Sequence, residues 1–190
     1  PPLPHFDIGP IRAQELKAQA SKCKAGQAAG LDGWAPAELG ALPIDAWEDR
    51  VPIEQFFLDQ GQYPDVYHDL PISMLRKGEG KTPKEHRGIS VFPANYRLTT
   101  AVWWNRMQAP QSEWTHPAAC GGIPGRECVE AAWDSRADIE SALLQRVELT
   151  QINTDYDKFF DTFNHDFFYQ LECHLGIPPA VAQLNKNLYT

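Results

Sequence analysis

The stretch Thr154-Asp155-Tyr156-Asp157-Lys158-Phe159-Phe160-Asp161 sets three carboxylates and an aromatic pair side by side. Leu149 to Thr154 mixes apolar and polar side chains as a half-buried strand does, and the residues after Asp157 carry a helical period. The pattern therefore predicts a strand-to-helix junction at Asp155. Phe159, Phe163, Phe167 and Leu171 fall four apart, with Phe160 and Phe168 beside them, which predicts one strongly apolar helical face. Gly176 and then Pro178-Pro179 end that helix. A carboxylate at the C-terminal end of a strand is held by a rigid element and points into open space. Hard oxygen ligands of this kind suit Mg²⁺, which takes one or two carboxylates plus substrate phosphates. Spacing alone leaves a second reading open, in which Asp155 and Asp157 favour the start of the following helix through its dipole.

Three further segments precede this one in order. Gly30-Leu31-Asp32-Gly33-Trp34 is followed by Pro36-Ala37-Glu38-Leu39, a basic hairpin leads into Arg87-Gly88-Ile89-Ser90, and Cys120-Gly121-Gly122-Ile123-Pro124-Gly125-Arg126 forms a glycine-rich turn. The ordered set resembles the fingers and early palm of reverse transcriptases from retrotransposons that lack long terminal repeats. That family has a Gly-x-Asp-Gly segment, a Lys-rich hairpin leading into Arg-Pro-Ile-Ser, then Gly-Phe-x-x-Gly-Arg, then Asp-x-x-Lys-Ala-Phe-Asp. Asp155, Lys158, Phe160 and Asp161 match the last of these, and the resemblance runs from about Lys24 to Thr190. Gly88 stands where the family has proline, Ile123 where it has phenylalanine and Phe159 where it has alanine.

The resemblance implies an α+β fold, the fingers and partial palm of a polymerase right hand, with residues 1–25 as an N-terminal segment and helix and 26–190 as a partial reverse transcriptase domain. It implies RNA-directed DNA polymerisation, with an RNA template, a DNA primer and deoxyribonucleoside triphosphates as partners and Mg²⁺ as cofactor. Asp155 becomes the first metal-holding aspartate, and the backbone carbonyl of Tyr156 a second metal contact. Asp157 and Asp161 become supporting residues. Phe160 falls where the family places a bulky residue under the sugar of the incoming nucleotide; burial in the apolar helical face is the competing account. Lys77 and Arg87 are the candidates for the triphosphate, Arg as a planar fork and Lys as a point charge, with Lys81 and Lys84 as substitutes for the lysine. Arg126 is a candidate for the template backbone, or else a helix-end partner or a solvated side chain.

The family's further carboxylates lie in a downstream Tyr-x-Asp-Asp turn. These 190 residues contain no Asp-Asp pair, so no polymerase activity is expected from them alone. The chain begins with Pro1, which suggests a piece of a longer product. A palm sheet lacking its other strands predicts an exposed edge and an uncovered apolar face, and with them marginal stability or aggregation. Two other function classes stay open: a binding module that holds RNA or nucleotide without catalysis, and an unrelated Mg²⁺-dependent nuclease or phosphotransferase built on Asp155, Asp157 and Asp161.

Bulk properties narrow the field. With 43% apolar residues the chain can bury a core as one domain. A net charge of −8 argues against a general nucleic-acid coat. Residues 76–106 nevertheless hold seven basic side chains against two acidic ones, a local +5 that leaves −13 elsewhere in a chain of 17 basic and 25 acidic residues. A positive patch on an acidic body suits an anionic ligand. Cys23, Cys120, Cys128 and Cys173 show no Cys-x-x-Cys spacing, and no secretory segment is visible, which points to a reducing, intracellular compartment. Zinc ligation by His116, Cys120 and Cys128 has irregular spacing against it. No apolar run approaches the roughly eighteen residues a bilayer demands, so no membrane partner is expected.

Elsewhere, periodicity predicts helices at about 11–24, 45–60, 95–108 and 127–147, and strands at about 70–77 and 88–92. Asp45 and Gly61 are expected to cap the second helix, Pro52 to bend it and Pro110 to end the third. Trp34, Leu39 and Leu42 are expected as core anchors. Val129, Ala132, Trp133, Leu143, Leu144 and Val147 are expected as the buried stripe of the fourth helix, and the tryptophans generally as core.

Overall fold

The computed structural model describes residues 6, 8–79, 81–82, 85–156 and 163–189. The fold is mixed α+β and mostly helical, with one two-stranded antiparallel hairpin among the described residues. In chain order come α1 (Ala13–Ala20), α2 (Pro36–Leu39), α3 (Ile44–Gln60), a 3-10 turn (Asp65–Tyr67), β1 (Ile72–Arg76), β2 (His86–Ser90), α4 (Ala94–Trp114), α5 (Cys128–Gln145), α6 (His165–His174) and α7 (Pro179–Tyr189). None of these helices is long and apolar enough to cross a membrane.

The core lies where α1 packs on α3 and α4 and where α7 packs on α3 and α6. Leu16, Ala20, Trp47, Leu98, Val102, Trp103, Leu184 and Leu188 fill it. Local chemistry fixes the ends of these helices. Glu15 reaches back to the Arg12 N–H at 3.0 Å, and Glu38 to the Ala35 N–H at 3.0 Å, each satisfying a free first-turn donor. Gly61 ends α3 at φ +63°, as expected for a left-handed C-terminal glycine, and its carbonyl accepts from Asn187 Nδ2 of α7 at 2.7 Å. Arg106 ties the N-terminal segment to α4: its guanidinium holds Glu15 at 2.6 and 3.1 Å and donates to the carbonyls of Gly9 and Pro10.

Several expectations are corrected. Leu149 to Thr154 is not a strand; residues 147–156 run irregularly and 149–156 are exposed. A strand needs a neighbouring ladder, and the one described ladder is β1 with β2. Gln151 instead bonds Ser135 Oγ at 2.8 Å, laying this segment back along α5. Pro43, not Asp45, occupies the start of α3, and Asp45 sits in its first turn. Pro110 lies inside α4 rather than at its end, while Pro52 lies within α3. Pro110 removes only one amide bond a turn before the end, which α4 absorbs. Leu39 is buried and Leu42 packs on the core, but Trp34 is 44% exposed beside the turn at Gly33. Trp47 and Trp103 are core residues, whereas Trp104, Trp114 and Trp133 are exposed. α5 buries no residue at all, so its apolar stripe is not core. In α6 the buried positions are Tyr169 and Glu172, while Phe167 is exposed, because the side facing α7 is not the phenylalanine face. That helix does stop where expected, at Gly176 with φ +95°.

Candidate functional site

The hairpin is the basic element of the chain, and its register settles which cations act together. Ile72 pairs with Ser90, Met74 with Gly88, Leu75 with Arg87 and Arg76 with His86. Directly opposed residues share a face and successive residues alternate, so Leu75, Lys77, Glu85, Arg87 and Ile89 lie on one face. Ile72, Met74, Arg76 and His86 lie on the other. A methyl group at Gly88 would stand 3.1 Å from Ile72 and 3.8 Å from Met74, whose side chains lean across that glycine. Lys77 and Arg87, singled out from the sequence, are thus diagonal neighbours on one face. Both are exposed, and neither side chain enters a hydrogen bond or ion pair among the described residues. The turn is closed by the Lys77 N–H on the Glu85 carbonyl, by the Lys81 N–H on Glu85 Oε2 at 2.6 Å, and by an ion pair of Lys81 with Glu79. Lys81 is thereby committed within the turn. Lys84 and Phe160 lie outside the described residues, as do Asp157, Lys158 and Asp161.

The base of the hairpin rests on the Gly-x-Asp-Gly loop. The Gly33 N–H closes a turn on the Gly30 carbonyl at 3.0 Å, with Gly33 at φ +72°. Gly30 lies so close to β2's exit that a Cβ there would stand 2.6 Å from Pro93 Cα and 2.8 Å from the Phe92 carbonyl oxygen. Asp32 Oδ2 accepts from the Ala94 N–H at 2.9 Å, the first amide of α4. Pro93, which precedes α4, has no side-chain acceptor, so Asp32 caps the helix from across the fold. The Ala28 carbonyl of the same loop takes a bond from Arg97 at 2.5 Å. This loop therefore positions the hairpin through α4.

Beneath it the rings of Phe57, Tyr63, Tyr67, Phe92 and Tyr96 form a continuous cluster, with Phe92 stacked on Tyr96 at 4.6 Å. Beside it lies a polar group that the sequence pattern did not single out. Glu54 is 4% exposed, pairs with Arg50 at 2.5 Å, and Arg50 also donates to Tyr67 Oη at 3.1 Å. Burial pushes the Glu54 carboxyl above its ordinary 4.5, and the guanidinium reverses only part of that. Burial likewise raises the Tyr63 and Tyr96 phenols, so both stay neutral. The i, i+4 spacing of Arg50 and Glu54 was the available signal, and it also describes an ordinary solvated helix pair.

Asp155 and Tyr156 are exposed on the irregular segment after α5 rather than at a strand end. No hydrogen bond or ion pair joins Asp155 to Lys77 or Arg87 among the described residues. Nor do three His, Cys, Asp or Glu side chains converge among them to hold an ion; all four cysteines are free thiols. Of the expected metal contacts, the described residues therefore supply one accessible carboxylate and one backbone carbonyl. Arg126 serves the fold: its guanidinium donates to the His116 and Ala119 carbonyls at 2.8 and 3.0 Å and approaches those of Ser112 and Thr115 at 3.4 Å, closing the C-terminal end of α4.

An open groove of about 510 Å³ lies between α4, α6 and α7, lined by Tyr96, Trp104, Met107, Phe168, Tyr169 and Tyr189 among others. Among the described residues, none of Lys77, Arg87, Asp155 and Tyr156 lines it. On α6 Glu172 is buried, with Oε2 unbonded among the described residues, and burial pushes its carboxyl up to about 7. No family model matches the chain, and no curated protein matches it.

Proposed function

We propose that this chain is the nucleotide-gripping fingers and first palm segment of an RNA-directed DNA polymerase. The supporting observation is the hairpin, with Lys77 and Arg87 diagonal on one face, both exposed, both uncommitted, and their base braced by the Gly-x-Asp-Gly loop. In this reading the two cations hold the triphosphate of a deoxyribonucleotide. Arg87 supplies a planar fork for phosphate oxygens and Lys77 a mobile point charge. Asp155 and the Tyr156 carbonyl are assigned to Mg²⁺, an ion that neutralises phosphate charge when bound. Phe160 is assigned to the sugar of the incoming nucleotide, RNA to the template and DNA to the primer. These 190 residues hold no Asp-Asp pair, so primer extension by them alone is expected to be nil.

The test is equilibrium binding of a labelled deoxyribonucleoside triphosphate with and without Mg²⁺. Lys77→Ala and Arg87→Ala should each weaken binding by about tenfold or more, the value of one charge-assisted phosphate contact. Asp155→Asn should weaken it only when Mg²⁺ is present. Binding that is indifferent to both hairpin variants sinks the proposal. A second reading, an RNA-binding module without catalysis, is favoured by Arg76, a further exposed cation on the opposite face of the hairpin. It predicts RNA binding that falls steeply with salt, survives Asp155→Asn and is weakened by Lys77→Ala.

A further inference from the structure

Helix α5 stands apart in exposing its apolar residues: Trp133 is 70% exposed, Leu143 72% and Leu144 85%. Its partly covered positions are Ser135 and Ala142, and Ser135 is where Gln151 bonds. Val129, Trp133, Arg136, Glu140 and Leu143 follow one another at intervals of four and three residues, so they share a face roughly a third of a turn from the covered side. Alternating four and three is the interval of a helix-on-helix seam. This seam is polar only at its middle, where Arg136 Nε bonds Glu140 Oε1 at 2.6 Å.

We propose that this face docks the same face of a second copy of the chain, the two α5 helices antiparallel about a two-fold axis midway between Arg136 and Glu140. In that register Trp133 of each copy meets Leu143 of the other, and Leu144 flanks the seam beside them. Arg136 meets Glu140 of the second copy, and Glu140 meets its Arg136, so two ion pairs form across the axis. A parallel pairing sets arginine on arginine and glutamate on glutamate, so the charges select the antiparallel arrangement. Asp134 and Asp138 fall on the far side of the helix and stay in water. The 18-residue helix is about 27 Å long, a short seam whose pairing depends on concentration.

Sedimentation equilibrium of the 190-residue chain from about 1 to 200 µM, at about 0.15 M salt, tests this. The mass is expected to rise from 21.4 kDa toward twice that value. Leu143→Asp and Leu144→Asp, at positions that touch nothing in the core, should each hold the chain at monomer mass with its circular dichroism unchanged. Arg136→Glu and Glu140→Arg should each weaken self-association about tenfold or more, since each sets like charges across the axis. Mixing those two variants should restore it, because every cross-axis pair is then opposite in sign. A chain that stays at 21.4 kDa throughout overturns the proposal, as does association indifferent to Leu143→Asp, or variants that fail to pair when mixed.

Discussion

Replacing Asp32 should loosen α4 although Asp32 lies 62 residues away from the amide it caps. Ala94 N–H is one of the four donors that a helix start leaves unsatisfied, and Pro93 before it offers no side-chain acceptor. Losing such a cap costs about 1 kcal/mol, and losing a carboxylate at a helix N-terminus a further ~0.5 kcal/mol. Asp32→Ala removes both, so a loss of roughly 1.5 to 2 kcal/mol is expected, whereas Asp32→Asn keeps an oxygen acceptor and should cost roughly 0.5 kcal/mol. For a chain of this size that corresponds to a melting shift of about 3 to 8 °C for alanine and about 1 to 2 °C for asparagine. Urea unfolding followed by the emission of tryptophans including the buried Trp103 reads the same ordering. An alanine variant as stable as the parent, or an asparagine variant as weak as alanine, refutes the capping account. So does a variant that melts normally yet loses nucleotide affinity, since that assigns Asp32 to a ligand instead of a helix.

Gly30→Ala is expected to cost about 1 to 3 kcal/mol, because its Cβ meets backbone atoms of Phe92 and Pro93 that cannot step aside. Gly33→Ala meets nothing within 4 Å and pays only for φ +72°, about 1 kcal/mol, so urea midpoints that fail to rank Gly30→Ala below Gly33→Ala contradict the close approach. Glu172 has a folded pKa of about 7 against an ordinary 4.5, raised by burial. A carboxyl whose folded pKa is raised binds its proton more tightly in the native chain, so its contribution is full below about pH 4.5 and is lost as pH rises through about 7. Glu172→Gln should therefore match the parent near pH 4.5 and exceed it at pH 8 by roughly 1 to 2 kcal/mol, after allowance for partial hydration. Parallel stability profiles for the two proteins across that range rule the effect out.

What the sequence made legible is what local chemistry decides. The α3 terminus at Gly61, the α6 terminus at Gly176 and the pairing of β1 with β2 all follow from glycine conformations and from two short runs flanking a turn. Failures came where a pattern needs a partner to give it meaning. Trp133, Leu143 and Leu144 have helical spacing, and α5 is a helix, but periodicity does not say whether anything covers the face. Leu149 to Thr154 has strand-like composition, yet without a neighbouring ladder its backbone has no reason to extend. Asp32 shows the reverse case. Its Gly-x-Asp-Gly setting marked it as special, while its role in closing the first turn of α4 depends on a contact no local window contains. Glu54 and Arg50 were hidden because a buried ion pair and a solvated one share the same i, i+4 spacing.

The placement of cations decides where a negatively charged ligand gains most. Arg50 is held by Glu54 and Tyr67, Arg97 by the Ala28 carbonyl, Arg106 by Glu15 and two carbonyls, and Arg126 by the end of α4. Drawing any of these toward phosphate takes a donor from the carboxylate or carbonyl that already accepts from it, a cost on the order of 1 to 3 kcal/mol set against the new contact. At the hairpin tip Lys81 is already neutralised by Glu79. Arg76, Lys77 and Arg87 have no such commitments among the described residues, and the hairpin register sets Lys77 and Arg87 on a common face. An isolated two-stranded hairpin is marginal in water, and this one exposes Leu75 and Ile89 beside those two cations. On the proposed reading a polyanion bound there would neutralise these cations and hold together the strands that carry them, so a variant that loosens the turn is expected to weaken triphosphate binding without removing a single charge.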